Sequence, residues 1–300
     1  MAIPGASHHV VQGAAAMARG RYHATGAVRV STYLEFVVFP SIEELIDVAQ
    51  FPLRDEAFRA RCKRSLDDSG VLVLPRFLTT QAVASVQREG GEHRHLAYYT
   101  ANTHNVFLKP TDPQFPDQHP RNRAVASSKG CITTDQIPEG SALHALYEAQ
   151  AFRDFLCAVL GERELHAYAD PLSSVNLHFA DAGQELGWHF DNSSFAVTLM
   201  VQPAESGGIF EYVKHVRDAD KGESNFERCA EVLDGSVPVQ TLAMDAGALV
   251  LFRGRNAMHR VTPVQGRRTR MLAVLAYNTE PGISLSESAR MTFYGRMGTS

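Results

Sequence analysis

The chain has 300 residues, of which 44% are hydrophobic, 21% charged and 9% aromatic, ordinary proportions for a globular protein with a sizeable core. Its 29 basic and 33 acidic residues leave a net charge of −4, which excludes the strongly basic field that bulk nucleic-acid binding needs. The longest apolar runs, such as Ala246–Phe252, fall far short of the roughly 20 residues of a membrane-spanning helix, so neither nucleic acid nor membrane is an expected partner.

Residues 1–30 are rich in Ala, Gly and His and read as a flexible N-terminal arm; His8 and His9 lie in it. The arm lacks the basic-then-apolar order of a secretory signal. The four cysteines, Cys62, Cys131, Cys157 and Cys229, are widely spaced and form no CxxC pair. They suggest neither a cysteine zinc site nor a disulfide framework, and a cytoplasmic setting is expected. Residues 31–300 read as a single domain, with helical support over about 41–164 and a strand-rich core over about 165–280.

Ser41 and Glu44 have capping-box spacing, and Ile42, Leu45, Ile46 and Ala49 follow at helical intervals. Leu53–Leu66 repeats the pattern with Phe58, Cys62 and Leu66, and Gly70–Pro75 encloses a short buried strand. Thr79 is placed to cap a helix running to Gly90. Residues 109–140, punctuated by Pro110, Pro113, Pro116, Pro120 and Pro138, predict a long irregular lid. A helical hairpin follows, Ser141–Gln150 and Phe152–Leu160, closed by Gly161. Beyond it, strand-like runs dominate: Leu165–Ala169, Ser173–Phe179, Phe195–Val201, Gly208–Val213, Val237–Thr241, Ala248–Phe252 and Thr269–Tyr277. One helix interrupts them near Asn225–Leu233. Short strands between turn residues predict a β-sandwich or barrel.

Gly187-Trp-His-Phe-Asp191 places His189 and Asp191 two apart, on one face of an extended segment. His259 follows 70 residues after His189, beyond the apolar strand Ala248–Phe252. Two imidazoles and one carboxylate on one side of a metal form the facial triad of non-haem Fe(II) oxygenases. Arg268 and Arg270 lie nine and eleven residues beyond His259, at the start of the last strand. A guanidinium there suits the distal carboxylate of a dicarboxylate cosubstrate. Arg270, one step further into the strand, is the first choice.

These residues resemble the 2-oxoglutarate/Fe(II)-dependent dioxygenase superfamily. Gly187-Trp-His-Phe-Asp-Asn192, Phe195-Ala-Val-Thr-Leu199, Gly207-Gly-x-Phe-Glu-Tyr212, Leu251-Phe-Arg-Gly254 and His259-Arg-Val-Thr-Pro-Val264 are more narrowly similar to the BesD/HalD-type amino-acid halogenases and their hydroxylase relatives. The resemblance spans roughly residues 165–295. It implies an α+β fold: a double-stranded β-helix, a cupin-like jelly roll, with a helical N-terminal half packed around it. It implies Fe(II), 2-oxoglutarate and O2 as cofactor and cosubstrates. His189, Asp191 and His259 would hold the metal and Arg270 or Arg268 the cosubstrate, with Asn176 as a further cosubstrate contact. In the halogenating relatives the triad carboxylate is glycine, which leaves a place for chloride. Here that position is Asp191, so the resemblance implies hydroxylation. Positions near Leu186 and Val274 that hold lysine in those relatives are apolar here.

Asn192, His104, Asn105 and Arg217 are candidate substrate contacts, and His178 is a weaker cosubstrate candidate than Asn176. Trp188 flanks His189 and should face the core. The expected activity is hydroxylation of a small polar metabolite, first among them a free amino acid. The alternatives are desaturation, cyclisation or epimerisation on the same iron, or a non-catalytic metabolite-binding barrel. The sequence leaves the oligomeric state open, a homodimer included.

Overall fold

The protein is described by a computed structural model covering residues 40–298; the arm expected over 1–30, with His8 and His9, lies outside the described residues. The helices are α1 (Ile42–Leu45), α2 (Glu56–Ser69), α3 (Thr80–His93), α4 (Ala142–Glu148), α5 (Gln150–Leu160), α6 (Phe226–Leu233) and α7 (Glu287–Tyr294). Their ends follow from local chemistry. The Phe58 N–H donates to the Asp55 carboxylate at 2.6 Å and the Ala82 N–H to the Thr79 hydroxyl at 3.2 Å. Gly70 and Gly161 close α2 and α5 at φ of 73° and 81°, a conformation that favours glycine. None of the described helices is long and apolar enough to cross a membrane.

The strands are β1 (Val71–Leu74), β2 (Tyr98–His104), β3 (Val125–Ile132), β4 (Val175–Ala180), β5 (Leu186–His189), β6 (Ala196–Gln202), β7 (Ser206–Gly207), β8 (Phe210–Val213), β9 (Gln240–Leu242), β10 (Leu249–Phe252), β11 (Met258–Val261), β12 (Val264–Gln265) and β13 (Arg270–Leu275). All of the pairings are antiparallel. One row runs β10-β6-β13-β4 and a second runs β5-β11-β8-β9. β3 joins them by pairing with both β4 and β5. The chain passes between the rows from β4 to β5, β5 to β6, β6 to β8, β9 to β10 and on to β11 and β13, which is the jelly-roll path.

Alternation divides the first row into two faces. Leu177, Phe179, Val197, Leu199, Leu251 and Ala273 point outward and pack with Phe77, Val86, Leu146, Phe152 and Phe155 of the helical layer. The opposite face, carrying Asn176, His178 and Arg270, lines the interior, because Asn176 and Val274, His178 and Leu272, and Ala180 and Arg270 are register partners. The helices therefore hold the barrel from outside and leave its interior for polar side chains.

The sequence-based reading fails in particular places. Leu165–Ala169 forms no strand; only His166 pairs, with Asn278, before the chain turns at Asp170, whose carboxylate accepts from the Leu172 N–H and Ser173 hydroxyl. The irregular segment is shorter than 109–140, because β3 occupies its second half. β2 escaped notice because Tyr98–His104 is half polar, pairs with β3 alone and is largely exposed. Arg268 and Arg270 do not begin one strand: β13 starts at Arg270. The terminal α7 was also missed, since its Met291 and Phe293 are exposed and give no buried stripe. Leu199→Ala is expected to lower stability to urea by about 2–5 kcal/mol, whereas Met291→Ala at the surface changes it by about 0.5 kcal/mol or less.

Candidate metal centre

β5 and β11 lie side by side, and His189 and His259 are register partners. Cross-strand partners project to the same side, so the rings meet with centroids 4.1 Å apart. Asp191 follows the end of β5, and its N–H donates to the Gly254 carbonyl at 3.1 Å. Trp188 and Phe190 point the other way, into a buried cluster with Val106, Phe107 and Met258. The expected orientation of Trp188 follows from that alternation.

Asp191 Oδ1 lies 3.5 Å from His259 Nε2 and 3.9 Å from His189 Nε2. One ligand atom from each of the three residues falls within 4.8 Å of the others. His189 Nδ1 stands 2.8 Å from the Gly187 carbonyl, and His259 Nδ1 stands 3.0 Å from the Ala257 carbonyl. A carbonyl only accepts, so each Nδ1 donates to it, and Nε2 of each ring is the atom turned to Asp191. Burial, and next the neighbouring His259, push the His189 imidazole down to about 3. It is therefore neutral, the form that binds metal. Burial pulls the Asp191 carboxyl upward, but His259, His189 and Arg217 outweigh it and hold it below its usual range.

Asp191 Oδ2 is buried without a hydrogen-bond partner, a condition that costs about 1–3 kcal/mol or more for a charged group. A metal cation among the three side chains removes that cost, so these residues fit one. Gly254 makes the placement sterically feasible: a Cβ there would stand 1.8 Å from Asp191 Oδ2.

The structure sorts the other candidates. Arg270 is 5% exposed, and its Nε and Nη2 have no partner. Its Cδ would stand 2.9 Å from a Cβ at Gly208, so glycine lets the side chain pass. The guanidinium borders a cavity of about 340 Å3 with Met200, Ala204, Ile209 and Met244. Arg268 is exposed and donates to the Ala204 carbonyl at 3.0 Å. Asn176 is buried, with its side chain engaged by the framework. Its amide donates to the Leu172 and Val175 carbonyls, and its oxygen accepts from the Tyr294 hydroxyl.

His104 is brought to the centre, its ring centroid 6.2 Å from that of His189 and its Nε2 2.6 Å from Ser127 Oγ. Asn105 is not free for substrate: its amide donates to the Lys109 carbonyl and accepts from the Phe107 and Lys109 N–H groups. Arg217 lies over Phe190 at 4.1 Å and donates to the Arg255 and Asp191 carbonyls. It fastens the Asp191 loop. Asn192 is exposed, and its carbonyl accepts from Arg255. Lys129, unnoticed in the sequence, faces the interior from β3; its only signal is the polar alternation Ser127, Lys129. Gly254→Ala is expected to weaken Fe(II) binding by about 10-fold or more, by displacing Asp191, with the helical content unchanged. Metal titration alongside circular dichroism checks this.

A family profile described as halogenase D matches residues 54–292. A search of curated proteins finds no match. Among solved structures, the non-heme alpha ketoglutarate dependent carbocyclase SnoK from nogalamycin biosynthesis superposes with a TM-score of 0.52 at 11% identity, over 84% of this chain and 93% of that one. The epimerase SnoN of nogalamycin biosynthesis, solved in complex with Fe3+, alpha ketoglutarate and nogalamycin RO, superposes at 0.50 and 14% identity, over 74% of this chain and 84% of that one. An oxidoreductase of the 2OG-Fe(II) oxygenase family from Burkholderia pseudomallei reaches 0.48 at 15% identity, over 77% and 95%. The fold is that of the 2-oxoglutarate/Fe(II) oxygenases, and the chain, matched over most of its length, belongs to the halogenase D family.

Proposed function

We propose that the protein is an Fe(II)/2-oxoglutarate-dependent dioxygenase that hydroxylates a small polar metabolite, with a free amino acid as the first candidate. The observation that carries this reading is the convergence of two imidazole Nε2 atoms on a carboxylate whose second oxygen is buried and unpartnered. His189 and His259 would supply nitrogen ligands and Asp191 an anionic oxygen.

When bound, iron with 2-oxoglutarate supplies O2 activation and removal of hydrogen from an unactivated C–H bond. The chain supplies position and charge. Arg270, buried and unpaired, would receive the distal carboxylate in a two-pronged contact. Phe252 and Phe210, with ring centroids 4.9 Å and 5.5 Å from that of His259, keep water from that flank. Arg217 and Gly254 hold Asp191 in place through its backbone. Asp191 also fills the corner that the halogenating relatives leave to chloride, which favours hydroxylation over halogenation. SnoN is an epimerase and SnoK a carbocyclase, so the mass of the product decides among the outcomes.

His259→Ala and Asp191→Ala are each expected to lose Fe(II) and succinate formation; full activity in either contradicts the triad. Arg270→Met should raise the 2-oxoglutarate requirement about 10-fold or more while Arg268→Met leaves it within about 2-fold. An amino-acid screen for succinate release, with mass detection, separates the outcomes: hydroxylation adds about 16 Da, desaturation or cyclisation removes about 2 Da, and epimerisation leaves the mass unchanged.

A further inference from the structure

A second cation stands inside the barrel. Cys131 on β3 is the register partner of interior-facing His178 on β4, and Lys129 is two residues away, on the same face. Extending that register by two sets Lys129 opposite Ala180, which is itself the partner of Arg270. Arg270, Ala180 and Lys129 thus form a row across three strands, its ends roughly 10 Å apart at the backbone. Between the two long cations stands only a methyl group. Arg270 leans toward Gly208, whereas Lys129 turns to His178, with Nζ 3.2 Å from both ring nitrogens. The cations serve separate places.

Among the described residues neither Lys129 nor Arg270 pairs with a carboxylate. Burial, then Lys129 and Arg270, hold the His178 imidazole well below its ordinary value, so it adds no charge of its own. On the iron and 2-oxoglutarate reading, on which this inference rests, the remaining charges cancel. Divalent iron, the Asp191 carboxylate, a doubly negative cosubstrate and the Arg270 guanidinium sum to neutrality. The Lys129 ammonium is left over, half-buried and without a carboxylate beside it, a position that favours an anionic ligand. The polar strip beside it leads to the metal: Ser127 lies two residues along β3, its Oγ is 2.6 Å from His104 Nε2, and His104 adjoins His189.

We propose that Lys129, with His178 beside it, binds a carboxylate of the substrate and so selects acidic or zwitterionic molecules. The substrate lies along the Ser127–His104 strip with its acid end at Lys129 and its target carbon at the metal.

The test uses the anaerobic Fe(II) and 2-oxoglutarate complex, whose visible charge-transfer band reports assembly and is perturbed when a substrate enters. The probes are the free L-amino acids and their carboxamides, against the unmodified protein, Lys129→Met and Lys129→Arg. The expected result is that one or more free acids shift the band and their amides do not. Lys129→Met should weaken that response about 10-fold or more while its 2-oxoglutarate titration stays within about 2-fold, and Lys129→Arg should restore the response. Three results overturn the proposal: acids and amides that behave alike, silence included; a Lys129→Met response equal to that of the unmodified protein; or a Lys129→Met protein whose 2-oxoglutarate affinity itself falls about 10-fold, which assigns Lys129 to the cosubstrate. Absence of the band in the unmodified protein instead overturns the iron reading itself.

Discussion

The pairing of β5 with β11 is the constraint on which the site depends. It makes His189 and His259 opposite partners in one ladder, so two residues 70 apart in the chain share one side of one sheet. The third ligand is placed by backbone. Asp191 lies past the strand end, and its amide is tied to the Gly254 carbonyl. The same glycine leaves room for the carboxylate. A one-residue slip of either strand would turn an imidazole to the outer face and dismantle the centre.

The interior is polar at the expense of stability. Asp191 Oδ2 and two nitrogens of Arg270 are buried without partners, and Lys129 meets only a neutral imidazole. Such groups are unfavourable in an empty core. The fold tolerates them because its apolar packing is elsewhere, between the outward face of the β10-β6-β13-β4 row and the helices. Separation of a stabilising outer layer from a charged inner surface is how this barrel can carry unsatisfied charge aimed at ligands.

Much of this was legible in the sequence, for reasons that differ by residue. His189 and Asp191 stood out through their two-residue spacing, and His259 through its place beyond the apolar strand Ala248–Phe252. The helices α2, α3 and α5 announced themselves through Asp67-Asp-Ser-Gly70, Thr79 and Gly161. β2 and β3 did not, since β2 is largely exposed and β3 carries polar residues toward the interior, and neither shows an alternating apolar pattern; Lys129 went unseen with them. Arg270 was preferred to Arg268 as the residue further into the strand, and the strand start at Arg270 shows why its guanidinium alone of the two is enclosed. Asn176, Asn105 and Arg217 carry polar groups that looked available and are consumed by the framework. Sequence reveals a polar side chain but not whether a nearby carbonyl has already taken it.

The central claim is that three side chains hold one ferrous ion from a single side. An anaerobic crystal structure with Fe(II) and 2-oxoglutarate tests it most directly. The account predicts one ion touching Nε2 of His189, Nε2 of His259 and a carboxylate oxygen of Asp191, with the cosubstrate's far end on Arg270. An ion held by other residues, or none at full Fe(II) loading, would contradict it.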